Sequence, residues 1–269
     1  MNFIQTYIQA ELDKPELLHF GFGTLAAFSN KSPEREDTPN EDCVAIFQLD
    51  NDSAVFMVAD GLGGLPGGNT ASKLAIQAMK ATLNECQDIS SLREAILDGF
   101  EKADRLIQQK APAAATTLAV VEYQKGQIRP YHVGDSMIII TGQRGKLKLQ
   151  TVSHSPVGYA VESGLLDENE AVHHEERHLV SNVVGSGDMR IEIGTTLSLS
   201  RFDTLIMATD GLFDNLYIEE IIDQARKGRL DLAAGSLIEK ASERMTNPEL
   251  EGPSHADDLS LILFRQTHP

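Results

Sequence analysis

The sequence predicts an antiparallel α+β fold. Three observations lead there. Short apolar runs bounded by turn residues recur from about residue 43 to residue 265, two amphipathic helical stretches stand together between residues 69 and 107, and further helical stretches cluster near the C-terminus. Hairpins with helices in separate blocks favour antiparallel sheets over a βαβ winding.

In chain order, Cys43 to Leu49 and Ala54 to Ala59 read as strands joined by the turn-rich link Asp50-Asn51-Asp52-Ser53. The second run is apolar on both parities, so both of its faces are expected to be buried. From Asn69 to Cys86, Ala71, Leu74, Ala75, Ala78, Met79, Leu83 and Cys86 recur at helical spacing. Ser91 and Glu94 are placed as a capping box for a second helix, whose buried face is Leu92, Ile96, Phe100, Ala103 and Ile107. Runs at Thr117 to Tyr123, Gln127 to Val133, Met137 to Thr141 and Lys146 to Val152 read as strands of an antiparallel meander. Residues 153 to 202 are less regular and more charged, which suits a surface subdomain or flap. Thr204 to Thr209 is an apolar strand, Ile218 to Lys227 a helix ending at Gly228, and Leu232 to Met245 a helix with Asp231 as its cap. Leu259 to Phe264 closes the chain as a strand.

The chain has 269 residues, 41% of them hydrophobic and 23% charged, which is ordinary for a globular protein. No repeat or Pro/Ser-rich linker divides it, so a single domain over residues 1–269 is expected. Lys and Arg number 23 against 40 Asp and Glu, a formal charge of −17. That field repels nucleic acid and anionic lipid unless bound cations reverse it locally. Two cysteines, Cys43 and Cys86, make no disulfide framework and no CxxC pair. With no signal peptide and no stretch near the roughly 18 apolar residues of a membrane span, the expected location is the cytoplasm.

Acidic residues fall at the ends of the most apolar strands. Asp60 ends AVFMVAD, Asp210 ends TLIMATD, Asp135 follows YHVG, Asp257 and Asp258 precede LSLILF, and Glu41 and Asp42 precede CVAIF. A lone carboxylate after a strand is usually a turn former. Several brought to one sheet edge repel strongly unless cations or protons neutralise them. All-oxygen ligands suit hard Mg²⁺ or Mn²⁺ rather than zinc. Asp60 and Asp210 are each followed by Gly, which allows a sharp turn and a close approach of the backbone carbonyl to a ligand.

Nucleotide-loop readings fail. The Gly-rich stretch from Asp60 to Asn69 lacks GxxxxGK[ST], and Pro66 stands at the third glycine position of GxGxxG. Gly21 to Ala26 matches GxGxxA, without a preceding strand or following helix in the sequence reading. No GxSxG elbow is present. His173, His174, Glu175 and Glu176 read as a solvated face.

These residues resemble the metal-dependent type 2C Ser/Thr protein phosphatases in their compact bacterial form. The matching stretches are NED at Asn40 to Asp42, VADGLGGLPGGNTAS at Val58 to Ser72, AATTL at Ala114 to Leu118, HVGDS at His132 to Ser136, ATDGLFDNL at Ala208 to Leu216 and DDLSLIL at Asp257 to Leu263, in the family's order. The resemblance implies a four-layer α-β-β-α sandwich of two antiparallel sheets flanked by helices. It also implies hydrolysis of phosphoserine and phosphothreonine in proteins with two Mn²⁺ or Mg²⁺ ions, antagonising a protein kinase. Two cations roughly 3.5–4 Å apart activate water and neutralise phosphoryl oxygens, so no protein nucleophile is needed. By the same resemblance Asp60 bridges both metals, the Gly61 carbonyl and Glu41 serve one, and Asp210 and Asp257 serve the other. Asp42 orients the attacking water, and Asp135 with Asp210 holds a third, weaker metal.

The chain departs from the family pattern at three places. Asp37 stands where a phosphate-binding Arg is usual, leaving Arg35 as the candidate; Leu62 stands where some members have His; Asp258 replaces the usual Asn and is expected to support Asp257. Two other readings keep the same carboxylates: a non-catalytic pseudophosphatase that binds a phosphoprotein, and a phosphatase of small phosphoesters, with the flap at 153–202 deciding the latter.

Overall fold

The computed structural model describes residues 3–34, 38–62, 67–86 and 88–267. The first half contains β1 (Phe3–Ile8), β2 (Glu16–Phe20), β3 (Gly23–Asn30), β4 (Cys43–Gln48), β5 (Ser53–Ala59), α1 (Gly68–Glu85), α2 (Leu92–Lys110), β6 (Leu118–Gln124) and β7 (Gln127–Val133). The second half contains β8 (Met137–Thr141), β9 (Leu147–Gln150), α3 (Pro156–Glu162), α4 (Glu168–Ala171), β10 (Glu192–Ile193), β11 (Leu197–Ser198), β12 (Thr204–Ala208), α5 (Asp210–Phe213), α6 (Ile218–Ala225), α7 (Leu230–Thr246) and β13 (Leu259–Gln266).

Two antiparallel sheets stack face to face. One runs β1-β4-β5-β6-β7-β10 with β11 also on β7, and the other runs β2-β3-β13-β12-β8-β9. Three apolar layers hold the stack together. On β5, Val55, Met57 and Ala59 meet α1 and α2, while Ala54, Phe56 and Val58 meet the opposite sheet. The period of two along a strand therefore explains why β5 is apolar at every position: each parity serves a different core. On the other sheet Leu261 and Leu263 pack with α7 residues such as Leu237 and Ala241, and Ile262 and Phe264 turn inward. Truncating a fully buried phenylalanine such as Phe56 or Phe264 removes on the order of 3–5 kcal/mol. The architecture is the α-β-β-α sandwich that the resemblance implies.

Several local expectations are corrected. The expected meander is split, because β6 and β7 pair in the first sheet while β8 and β9 pair in the second. The chain changes sheet at Gly134, Asp135 and Ser136, and this crossing carries Asp135 to the rim between the layers. Ser91 makes no side-chain cap; a 3₁₀ turn over Ile89–Ser91 precedes α2, and Asp88 accepts the Ser90 N–H at 2.9 Å. That turn occupies the place of the expected capping box. Asp231 is not the cap of α7 either. It lies in the first turn and pairs with Arg229, the residue before the helix, at 2.6 Å.

The sequence reading assigned nothing before Cys43, yet three strands lie there. β1 pairs with β4, and β2 and β3 form a hairpin in which Phe20 faces Gly23. Gly21 to Ala26 therefore does follow a strand, against the expectation, but it leads into β3 and not into a helix, so it is a hairpin turn and not a nucleotide loop. Within 153–202 the short strands β10 and β11 extend the first sheet along β7. His173 to Glu176 are exposed, and Cys43 and Cys86 are free thiols. Among the described residues no helix is long and apolar enough to cross a membrane.

Candidate metal centre

Antiparallel pairing brings the acidic strand ends to one rim. Asp60 leaves β5 beside the start of β4, where Cys43 pairs with Ala59, so Glu41 and Asp42 lie next to Asp60. Asp210 leaves β12 beside the start of β13, where Ala208 pairs with Leu261, which brings in Asp257 and Asp258. Asp135 arrives on the crossing between the sheets.

Asp60, Glu41 and Asp42 are anchored through the backbone or one carboxylate oxygen. The Asp60 N–H donates to Thr117 Oγ1 at 3.0 Å, and the Asp60 carbonyl accepts Thr116 Oγ1 at 2.7 Å and the Thr117 N–H at 2.8 Å. Glu41 Oε1 accepts the Asn69 N–H at 3.2 Å at the start of α1, which orients one carboxylate oxygen toward the positive end of that helix. The Glu41 carbonyl accepts the Gly61 N–H at 3.2 Å, and a Cβ on Gly61 would lie 2.3 Å from the Gly68 backbone. No side chain fits there, which is why glycine must follow Asp60. Asp42 is fully buried. Its Oδ2 accepts the Thr209 hydroxyl at 2.9 Å, while that hydroxyl oxygen accepts the Ser260 N–H at 3.1 Å.

Asp258 meets both expected and further partners. Its main-chain N–H donates to Asp257 Oδ1 at 2.8 Å, while its Oδ1 accepts the Ser32 N–H and its Oδ2 the Glu41 N–H, both at 2.7 Å, so the side chain also ties the Glu41 segment down. Arg35 lies outside the described residues. Leu62 is described, and its N–H donates to the Ala115 carbonyl at 3.1 Å.

The electrostatics demand positive charge. Burial raises Asp60 well above the usual carboxylate range, and the charges of Asp210, Asp42, Asp257 and Asp135 raise it further. Asp210 is raised by burial and then by Asp257, Asp135, Asp214 and Asp42; Asp42 by burial and then by Asp258. Burial followed by Asp214 pushes Asp135 up to about 7. Among the described residues Asp42 Oδ1 and Asp210 Oδ1 are buried without a hydrogen-bond partner. Orphaned anionic oxygens facing like charges are costly in a protein interior unless a cation is shared among them. The donor set is oxygen throughout, so these residues fit Mg²⁺ or Mn²⁺.

Three contributors were not assigned a role from sequence, although all stand in the matching stretches: Thr117, Thr209 and Asp214. Asp214 accepts Arg177 Nε at 3.2 Å, and Arg177 Nη2 also reaches the Ser254 carbonyl at 3.3 Å. A cavity of about 270 Å³ is lined by Asp135, Asp210, Asp214 and Arg177 together with the apolar Val157, Val161 and Phe213.

Comparison with known proteins decides the family. The protein phosphatase 2C family model matches residues 30–246. This chain belongs to the protein phosphatase 2C family. Type 2C enzymes are metal-dependent Ser/Thr protein phosphatases. A serine/threonine phosphatase, stp, of Listeria welshimeri is 24% identical over 237 residues, covering 84% of this chain and 90% of its own. The fold matches Stp1 from Staphylococcus aureus with a TM-score of 0.77 at 22% identity, over 93% of this chain and 98% of that one. It also matches the catalytic domain of the phosphatase PstP in complex with 2 manganese ions, with a TM-score of 0.70 at 22% identity, over 91% of this chain and 98% of that one.

Proposed function

We propose that this chain hydrolyses phosphoserine and phosphothreonine in protein substrates, opposing a protein kinase in the cytoplasm, with residues 1–269 acting as one phosphatase domain whose flap is the 153–202 segment. The observation that carries this reading is the convergence of Glu41, Asp42, Asp60, Asp135, Asp210 and Asp257 with two orphaned buried oxygens, on Asp42 and Asp210.

Two Mn²⁺ or Mg²⁺ ions would be held by Asp60 in common, with Glu41 and the Gly61 carbonyl on one side and Asp210 and Asp257 on the other. Asp135 and Asp210 would take a third, weaker ion. When bound, such ions activate water and neutralise phosphoryl oxygens. The protein's own residues supply the rest. Asp42, with Oδ2 committed to Thr209, has Oδ1 free to accept a hydrogen bond from the attacking water and fix its direction. The Thr116 and Thr117 contacts hold the Asp60 backbone, so its carboxylate does not have to reorganise during the reaction. Neutralised carboxylates also let a chain of formal charge −17 accept an anionic phosphoester.

The test is phosphate release from a phosphothreonine peptide with Mn²⁺, with EDTA and with Asp210→Asn, beside a phosphotyrosine peptide. Release that needs Mn²⁺, vanishes in the variant and is weak on phosphotyrosine supports the reading. No release from folded, Mn²⁺-binding protein on any phosphoserine or phosphothreonine substrate would sink it.

A further inference from the structure

Outside the carboxylate rim, His132, His154 and Glu192 each offer an atom within 4.8 Å of the others, an arrangement that invites a second metal site. The hydrogen bonds argue against one. His132 Nε2 lies 2.8 Å from the Val152 carbonyl, so it carries the proton. The Gly134 N–H donates to His154 Nδ1 at 3.1 Å, which makes that nitrogen the lone pair and leaves the proton on Nε2, 3.2 Å from Glu192 Oε2. With Nδ1 accepting and Nε2 protonated, His154 has no nitrogen left for a cation.

The same contacts define a different task. His154 grips the Gly134 peptide at both ends: its ring accepts the Gly134 N–H, and its own main-chain N–H donates to the Gly134 carbonyl at 3.0 Å. Gly134 has φ +105, and a Cβ there would lie 2.6 Å from Thr117, so the turn itself is fixed to this residue type. The next residue is Asp135, and on its far side Ser136 Oγ meets Thr117 Oγ1 at 2.6 Å, the hydroxyl that also accepts the Asp60 N–H. Asp135 is therefore suspended between two clasps. His154 is held in turn. Its ring stacks on His132 at 4.4 Å, Asn182 Nδ2 reaches Nδ1 at 2.8 Å, and Ser181 donates its N–H and its hydroxyl to the His154 carbonyl, each at 2.8 Å.

We propose that His154 is a positioning residue for the phosphatase reaction: its Nδ1 lone pair and main-chain N–H clasp the Gly134 peptide and so aim the Asp135 carboxylate into the metal centre. The inference rests on Asp135 serving as a metal ligand. Residues that orient a ligand in this way change metal affinity by about 10–100-fold when removed.

The experiment counts bound Mn²⁺ by electron paramagnetic resonance in wild type, Asp135→Asn, His154→Leu and His154→Asn, with phosphopeptide turnover measured alongside. Asp135→Asn is expected to weaken one class of Mn²⁺ and leave the tighter class intact. His154→Leu is expected to weaken that same class by about 10-fold, in the range for an orienting partner. His154→Asn is expected to restore most of the loss, because its Oδ1 stands where Nδ1 stood and accepts the same N–H. Wild-type Mn²⁺ binding in His154→Leu, or an Asn variant as defective as the Leu variant, overturns the proposal while leaving the role of Asp135 intact. Wild-type binding in Asp135→Asn removes the metal role of Asp135, and this inference with it. Nitrogen NMR of the wild-type imidazoles decides the point independently of how the variants fold: a lone pair on His154 Nδ1 is expected, and a proton there overturns the proposal.

Discussion

The Asp258 carboxylate spans two segments distant in sequence, accepting the Ser32 N–H on Oδ1 and the Glu41 N–H on Oδ2, each at 2.7 Å. Ser32 and Asp258 are both buried, so water cannot replace these bonds cheaply. Asp258→Ala is expected to lower stability by about 2–4 kcal/mol, one unsatisfied N–H costing roughly 1–3. Asp258→Asn, which keeps one acceptor oxygen, should cost about half of that. Urea denaturation at saturating Mn²⁺ measures both, and an Ala variant as stable as wild type would refute the clasp.

Neutralising one member of the carboxylate cluster should separate stability from activity. Asp60→Asn relieves repulsion among Asp60, Asp210, Asp42 and Asp257, so its melting temperature in EDTA is expected to exceed that of wild type. Its turnover with Mn²⁺ should fall by about 10³-fold or more, the rate equivalent of several kcal/mol of lost charge stabilisation. A drop in both would mean that Asp60 is needed for folding instead.

Metal-free protein should lose stability as pH rises. In the folded state Asp135 holds its proton up to about 7. An unfolded aspartate releases it near pH ~3.9, so between the two values the folded state binds more protons and stability falls with increasing pH. Asp42, Asp60 and Asp210, raised by the same burial and mutual repulsion, act in the same direction. Melting temperature in EDTA is therefore expected to be higher at pH 5.5 than at pH 8, a difference that Mn²⁺ abolishes. The opposite slope in EDTA would contradict the crowding of these groups.

A second titration belongs to Glu220, at the start of α6. Burial disfavours the charge on Glu220, but hydrogen bonds from Arg244 and Lys240 outweigh it and bring its carboxyl down to about 2. Arg244 Nη1 meets Glu220 Oε2 at 2.7 Å and also holds the Asn215 carbonyl at 2.8 Å, joining the start of α6 to α7. A depressed carboxylate contributes stability that is fully present above its unfolded value and is lost as pH falls from ~4.3 toward the folded one. Glu220→Gln should therefore be less stable than wild type by at most about 3 kcal/mol at pH 7, with the gap closing below pH 4. Thermal melts of both proteins across that range give the answer.

The candidate site was legible because its carboxylates announce themselves locally: an apolar strand ending in Asp-Gly, as at Asp60-Gly61 and Asp210-Gly211, needs no tertiary knowledge to stand out. The three N-terminal strands were not legible. β1 (FIQTYI) and β2 (ELLHF) are short edge strands without regular alternation, and their pairing with β4 and β3 supplies what their own sequence lacks. The capping assignments at Ser91 and Asp231 failed for a similar reason, since a cap depends on where the preceding chain already places its donors and acceptors.

By itself the sequence determined that the Ala54 to Ala59 strand is buried on both faces, which carboxylates stand at the ends of the apolar strands, and that acidic residues outnumber basic ones along the chain. Tertiary structure alone decided that β7 and β8 belong to different sheets, that Asp258 grips Glu41 across the barrier of sequence distance, and that His154 meets Gly134. Hydrophobic periodicity is a property of neighbours along the chain. A hydrogen bond between segments 226 residues apart, as from Ser32 to Asp258, exists only once two packed sheets bring their ends to a common rim.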